Sequence, residues 1–82
     1  MVSVVYDKHF QRTISKIKDQ ELQKNVKNKI RKIIESPEIG KPLRNVRKGT
    51  REIYAGSFRI SYTSHKEKNT IEFLAFYHKD GQ

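Results

Sequence analysis

The chain has 82 residues, no cysteine, and 18 Lys and Arg against 9 Asp and Glu, a formal net charge of +9. That length fits one domain spanning residues 1–82, and the missing cysteines exclude disulfide staples, thiolate metal centres and thiol catalysis. No apolar run is long enough for a signal peptide or a membrane span, so the expectation is a cytoplasmic protein with no membrane partner.

The positive balance points to a polyanionic partner, nucleic acid first, with solubility as the plainer alternative. It is unevenly spread: after Arg51 the only bases are Arg59, Lys66, Lys68 and Lys79. Residues 2–6 (VSVVY) are a β-branched run that predicts a first strand. Asp7 stands where an N-cap belongs, and Phe10, Ile14 and Ile17 recur at helical spacing, which predicts a helix over residues 8–18. Asp19 caps a second predicted helix with the apolar stripe Leu22, Val26, Ile30, Ile33 and Ile34. Ser36-Pro37 ends it, because the residue before a proline avoids the helical region. Lys24, Lys27, Lys29, Arg31 and Lys32 decorate its outer side, as an RNA-binding face or a solvated one.

Residues 37–42 (PEIGKP) read as a loop, and residues 43–48 as a short strand entering a turn at Gly49. Residues 49–62 (GTREIYAGSFRISY) read as a hairpin with an Ala-Gly-Ser turn. In its second arm Phe58, Ile60 and Tyr62 share one face, and Arg59, Ser61 and Thr63 the other. A polar connection over residues 64–69 leads to a last strand, residues 70–77 (TIEFLAFY). Strict alternation puts Ile71, Phe73, Ala75 and Tyr77 on one of its faces, with Leu74 and Phe76 on the other. A strand apolar on both faces is central, which places it beside the first strand.

The order β-α-α-β-β-β predicts an α+β fold, a two-helix hairpin packed on a mostly antiparallel sheet of about four strands. One sheet face is then covered by helices and the other collects Arg59. A long cation fixed in mid-strand is either a surface arginine pairing with Glu52 or Glu72, or a site built to meet an anion. Tyr54 shares a face with Glu52 and is a candidate for stacking on a base, whereas Tyr62 belongs to the core. Lys48 and Arg51, at the mouth of the hairpin, are candidate phosphate contacts, as is Lys79 in the tail, while Arg44 and Arg47 are candidates for an RNA backbone with plain solvation as an equal alternative.

These features resemble a known family. The element order, the G-x-F-R-I-x-Y stretch over residues 56–62 and the F-Y-H-K-D end over residues 76–80 are similar to the RelE/ParE superfamily of toxins from toxin–antitoxin modules. The resemblance covers nearly the whole chain. It implies a RelE-like fold and a ribosome-dependent mRNA endoribonuclease that inhibits translation, using the RNA 2′-OH in acid/base cleavage without metal or cofactor. It implies mRNA on the ribosome as substrate, and an acidic, RelB-like antitoxin as partner in a hetero-oligomer.

Arg59 matches the family's hairpin arginine, which contacts the scissile phosphate. His78 resembles the histidine of the YafQ-like branch and takes the role of general acid or base, with Asp80 orienting or supplementing it. The chain departs from RelE-like members in carrying Glu52 and Tyr54 where many have basic residues, and in having no tyrosine beyond His78. The same resemblance leaves open the ParE branch, whose members inhibit DNA gyrase, and a basic RNA-binding relative that has lost activity.

Overall fold

Alternation along the four-residue strand β1 (Ser3–Tyr6) packs Val4 against the core and stacks the Tyr6 ring, itself still exposed, on Phe73, while Val5 is exposed on the other face. The computed structural model describes residues 2–44 and 49–80. Asp7 ends the strand and caps helix α1 (Lys8–Ser15), its carboxylate accepting from the His9 N–H at 2.9 Å. Asp19 does the same for helix α2 (Gln20–Glu35), accepting from the N–H groups of Glu21 and Leu22. Each cap satisfies donors that a helix start leaves open, a contribution of about 1 kcal/mol. Helix α1 stops three residues short of expectation: the Ile17 N–H bonds to the Ile14 carbonyl, a tightened turn that delivers the chain to Asp19.

A 3-10 turn (Pro37–Ile39) leads into strand β2 (Lys41–Pro42), then β3 (Thr50–Ala55) and β4 (Phe58–His65). A second 3-10 turn (Lys66–Lys68) leads into β5 (Thr70–His78). The order across the sheet is β1-β5-β4-β3-β2, with β1 parallel to β5 and the other pairs antiparallel. Among the described residues the sheet thus has five strands where about four were expected. The additional one, β2, falls inside the stretch read as a loop, and Pro42 is tolerated there because β2 is an edge. Of the predicted strand over residues 43–48, Leu43 extends the ladder by donating to the Thr50 carbonyl, and residues 45–48 lie outside the described residues. Gly56 and Ser57 alone turn the hairpin, with Gly56 at φ 63, the left-handed position a two-residue loop requires.

Strand β5 is an interior strand beside β1, as expected, but its faces differ from strict alternation. Ser61 pairs with Ala75 and Tyr62 with Phe73, so Leu74 is an extra residue, a β-bulge. The bulge puts Ile71, Phe73, Phe76 and His78 on the helix side, and Glu72, Ala75 and Tyr77 on the open side.

The core lies between the helices and the sheet. Phe10 of α1 stacks on Phe73 at 5.5 Å and on Tyr6 at 6.1 Å, while Val26 and Ile33 of α2 are fully buried. Phe58 and Phe76 stack at 4.8 Å nearer the hairpin end. Burying each such side chain contributes about 1.5–3 kcal/mol. Tyr62 is the largest fully buried side chain, and its hydroxyl donates to the Pro37 carbonyl at 2.7 Å while accepting from the Gly40 N–H at 2.9 Å. Both polar ends of the 3-10 turn are thereby satisfied inside the core.

Candidate functional site

The open face of the sheet is laid out in rows by the strand register. One row runs Lys41, Glu52, Ser61, Ala75; the next runs Tyr54, Arg59, Tyr77; a third runs Thr50, Thr63, Glu72. Small side chains hold the middle of this face, and Thr50, Ser61 and Thr63 are buried there. Ser61 and Ala75 are short enough for longer neighbours to meet above them.

They meet at Glu52. Arg59 Nη1 lies 3.3 Å from Glu52 Oε1, and the Tyr77 hydroxyl donates to Glu52 Oε2 at 3.0 Å across the width of β4. The Glu52 side chain is 7% exposed and that of Arg59 31%, so the carboxylate forms the base of the cluster and the guanidinium its accessible part. Arg59 Cζ stands 5.2 Å from the centre of the exposed Tyr54 ring, a cation–π contact that fixes its height above the sheet. The buried Nε of Arg59 has no hydrogen-bond partner among the described residues. Burial first, and the Glu52 carboxylate second, push the Tyr77 phenol above its ordinary pKa, with Arg59 opposing. Tyr77 therefore keeps its proton at neutral pH and is a hydrogen-bond donor.

Of the residues singled out in the sequence, Arg59 and Tyr54 are brought together here. His78 is not. It pairs with Phe58 in register, and its ring meets the Phe58 ring edge-on at 5.1 Å on the helix side. Tyr77, one residue earlier, takes the place beside Arg59. Asp80 reaches His78 through its backbone, donating N–H to Nδ1 at 3.2 Å. Lys79 is exposed beyond the strand end, its N–H bonded to the Ser57 carbonyl. Arg51 lies on the helix side, where Nη1 donates to the carbonyls of Gly40 at 2.7 Å and Glu38 at 3.2 Å, tying the 3-10 turn to the sheet. Arg47 and Lys48 lie outside the described residues.

Tyr77, Glu52 and Lys41 are the members of this face that sequence reasoning did not place in the site. Glu52 gave a signal, an acid on the same strand face as Tyr54 within a run of bases. Tyr77 gave none, because the bulge at Leu74 reverses its side. Among the described residues no three His, Asp or Glu side chains gather as a metal ligand set. No described helix is long and apolar enough to cross a membrane.

The same architecture recurs in solved toxin structures. The Escherichia coli RelBE toxin–antitoxin complex contains a chain matching at TM-score 0.82 and 21% identity, covering 95% of this chain and 96% of that one. The complex RelBE2 from Mycobacterium tuberculosis matches at TM-score 0.78 and 25% identity, over 95% and 98% of the two chains. A YoeB/ParE toxin from Agrobacterium tumefaciens matches at TM-score 0.82 and 14% identity, over 94% and 98%. No curated protein matches the chain in sequence. Residues 4–82 match the family model of the ParE toxin of type II toxin–antitoxin systems, parDE, and the chain belongs to that family of toxins.

Proposed function

We propose that this toxin is a ribosome-dependent mRNA endoribonuclease whose open sheet face meets the RNA. One observation carries the reading: Arg59 is held in mid-strand above the Tyr54 ring and beside the Tyr77 phenol, partly exposed, with its buried Nε unpaired among the described residues. In cleavage by the RNA 2′-OH, that oxygen attacks the adjacent phosphorus and the bond to the 5′-oxygen breaks, leaving a 2′,3′-cyclic phosphate and a 5′-hydroxyl. Negative charge builds on the non-bridging oxygens during attack. A guanidinium fixed on a rigid strand stabilises that charge without reorganising, and its fork matches phosphate oxygens. The Tyr54 ring offers a stacking platform for an unpaired base.

The charge distribution supports a ribosomal setting. Lys24, Lys27, Arg31 and Lys32 are exposed on α2, on the side of the sheet opposite Arg59. A toxin lodged between message and ribosomal RNA needs cationic surface on a second side, and the helix layer supplies it. An acidic antitoxin would be attracted to the same positive chain, and the E. coli and M. tuberculosis neighbours are toxin–antitoxin complexes.

A second reading, inhibition of DNA gyrase as the ParE branch of the resemblance implies, is favoured by the separation of His78 from Arg59. Induced expression of wild type and Arg59→Ala, with primer-extension mapping of a translated mRNA, decides between them. New 5′ ends inside translated codons, present for wild type and absent for Arg59→Ala, support the ribonuclease. Growth arrest with gyrase-dependent DNA breaks and intact message replaces it with the second reading.

A further inference from the structure

We propose that Arg59 and Tyr77 form a two-donor clamp for an RNA phosphate, and that Glu52 is the internal anion this clamp holds until RNA arrives. The inference rests on the reading that the open face meets RNA, and it assigns Tyr77 and Glu52 roles at that site. Two donors from adjacent strands converge on the two oxygens of one carboxylate, at 3.3 Å and 3.0 Å. A phosphodiester presents two non-bridging oxygens in the same fork arrangement, so donors placed for one fit the other.

The pairing with Glu52 leaves Arg59 under-used. A guanidinium has five N–H donors, and a structural arginine–carboxylate pair of good geometry is bidentate. Here a single long contact joins Arg59 to Glu52, and the buried Nε has no partner among the described residues. Tyr77 adds a neutral donor that Glu52 itself helps to keep protonated. The displaced carboxylate has a place to go: Lys41 stands directly opposite Glu52 in the β2–β3 register, with its side chain exposed on the same face. Residues so paired lie within about 5 Å at Cβ, close enough for an ion pair to replace the one given up. Glu52 thus sets the affinity of the site by competing with the substrate phosphate. It also holds Arg59 in one orientation while the site is empty.

The test is fluorescence anisotropy of a short single-stranded 2′-O-methyl RNA, which binds without being cut, against purified wild-type toxin and variants. Glu52→Gln keeps the shape and removes the charge; it is expected to tighten binding by about threefold to tenfold, roughly 1 kcal/mol of relieved competition. Tyr77→Phe is expected to weaken binding by about threefold, and the double variant Arg59→Ala/Glu52→Gln to bind no tighter than Arg59→Ala alone. Unchanged or weaker binding by Glu52→Gln overturns the proposal and makes Glu52 a plain support for Arg59. Should Glu52→Gln fail to fold, the Arg59 Nε–H resonance of the wild type is followed by NMR as the same RNA is added. A shift supports the clamp and an unmoved resonance overturns it. Because the readout is binding, RNA that binds as described but is not cut in cells removes the ribonuclease reading and leaves the clamp standing.

Discussion

Arg59 and His78 stand on neighbouring strands near the same end of the sheet, yet their side chains leave it on opposite faces. The register explains this. Arg59 faces Tyr77, so the residue after Tyr77 must point away, and His78 settles against Phe58. The basic and acid/base parts expected at one site are divided by the thickness of the sheet.

Arg59→Ala is therefore expected to abolish growth arrest, with message cleavage falling by about 100-fold or more, as for loss of one transition-state charge contact. His78→Ala is expected to stay within about tenfold of wild type, since a residue acting as general acid or base would be worth about 100-fold or more. Primer-extension yield after induction measures both. An equal loss in the two variants would return His78 to the site.

Much of the fold was legible in the chain. Asp7 and Asp19 cap the two helices as expected because a short carboxylate before an apolar-periodic run has few other uses. The Phe58/Ile60/Tyr62 face of β4 was readable because that strand alternates cleanly between apolar and polar residues. From Phe73 to Tyr77 every position of β5 is apolar, so nothing in the pattern could reveal the extra residue at Leu74 or the reversed side of Tyr77. Strand β2 was missed for another reason: two residues containing a proline have no periodicity to read. Arg51 shows the limit for charge, since its role is to bond two carbonyls of a 3-10 turn that only the folded chain brings near.

Tyr54 is exposed and touches Arg59 through its ring face, so its contribution should follow the ring and not the hydroxyl. Tyr54→Phe is expected to bind single-stranded RNA as wild type does. Tyr54→Ala is expected to weaken it by about tenfold, from loss of stacking and of the support under Arg59. Anisotropy titration separates the two, and a loss in Tyr54→Phe equal to that in Tyr54→Ala would contradict the stacking role.

The contact between Tyr62 and the 3-10 turn is a stability feature on the far side of the sheet from Arg59. Tyr62→Phe leaves the Pro37 carbonyl and the Gly40 N–H without their buried partner and is expected to cost about 1–3 kcal/mol. Gly40→Ala acts on the same spot by overpacking. Its backbone is in the extended region, open to any residue, but an added Cβ would meet the Tyr62 ring at 2.8 Å and 2.9 Å. A cost of about 1–3 kcal/mol is expected there too. Urea unfolding measures both, and because they disturb one contact the double variant should cost less than the sum of the singles.

The same buried phenol makes the fold sensitive to alkali. Burial pushes Tyr62 above its ordinary pKa of 10.0, against smaller opposing effects from the Gly40 N–H and Arg51. The Tyr77 phenol is raised in the same direction by burial and by Glu52. A group whose folded pKa lies above its unfolded value stabilises the fold fully while the pH is below the unfolded value. That stabilisation is lost as the pH rises from there through the folded pKa. The urea midpoint of the wild type is therefore expected to hold up to about pH 9 and to fall above about pH 10. Lysine deprotonation in the same range acts on every variant alike, so the informative quantity is the difference between proteins. Tyr62→Phe starts from a lower midpoint but has no phenol to ionise, and its deficit relative to wild type should shrink as the pH rises through this window. A deficit that stays constant or grows would mean that Tyr62 ionises no less readily in the folded chain than in the unfolded one.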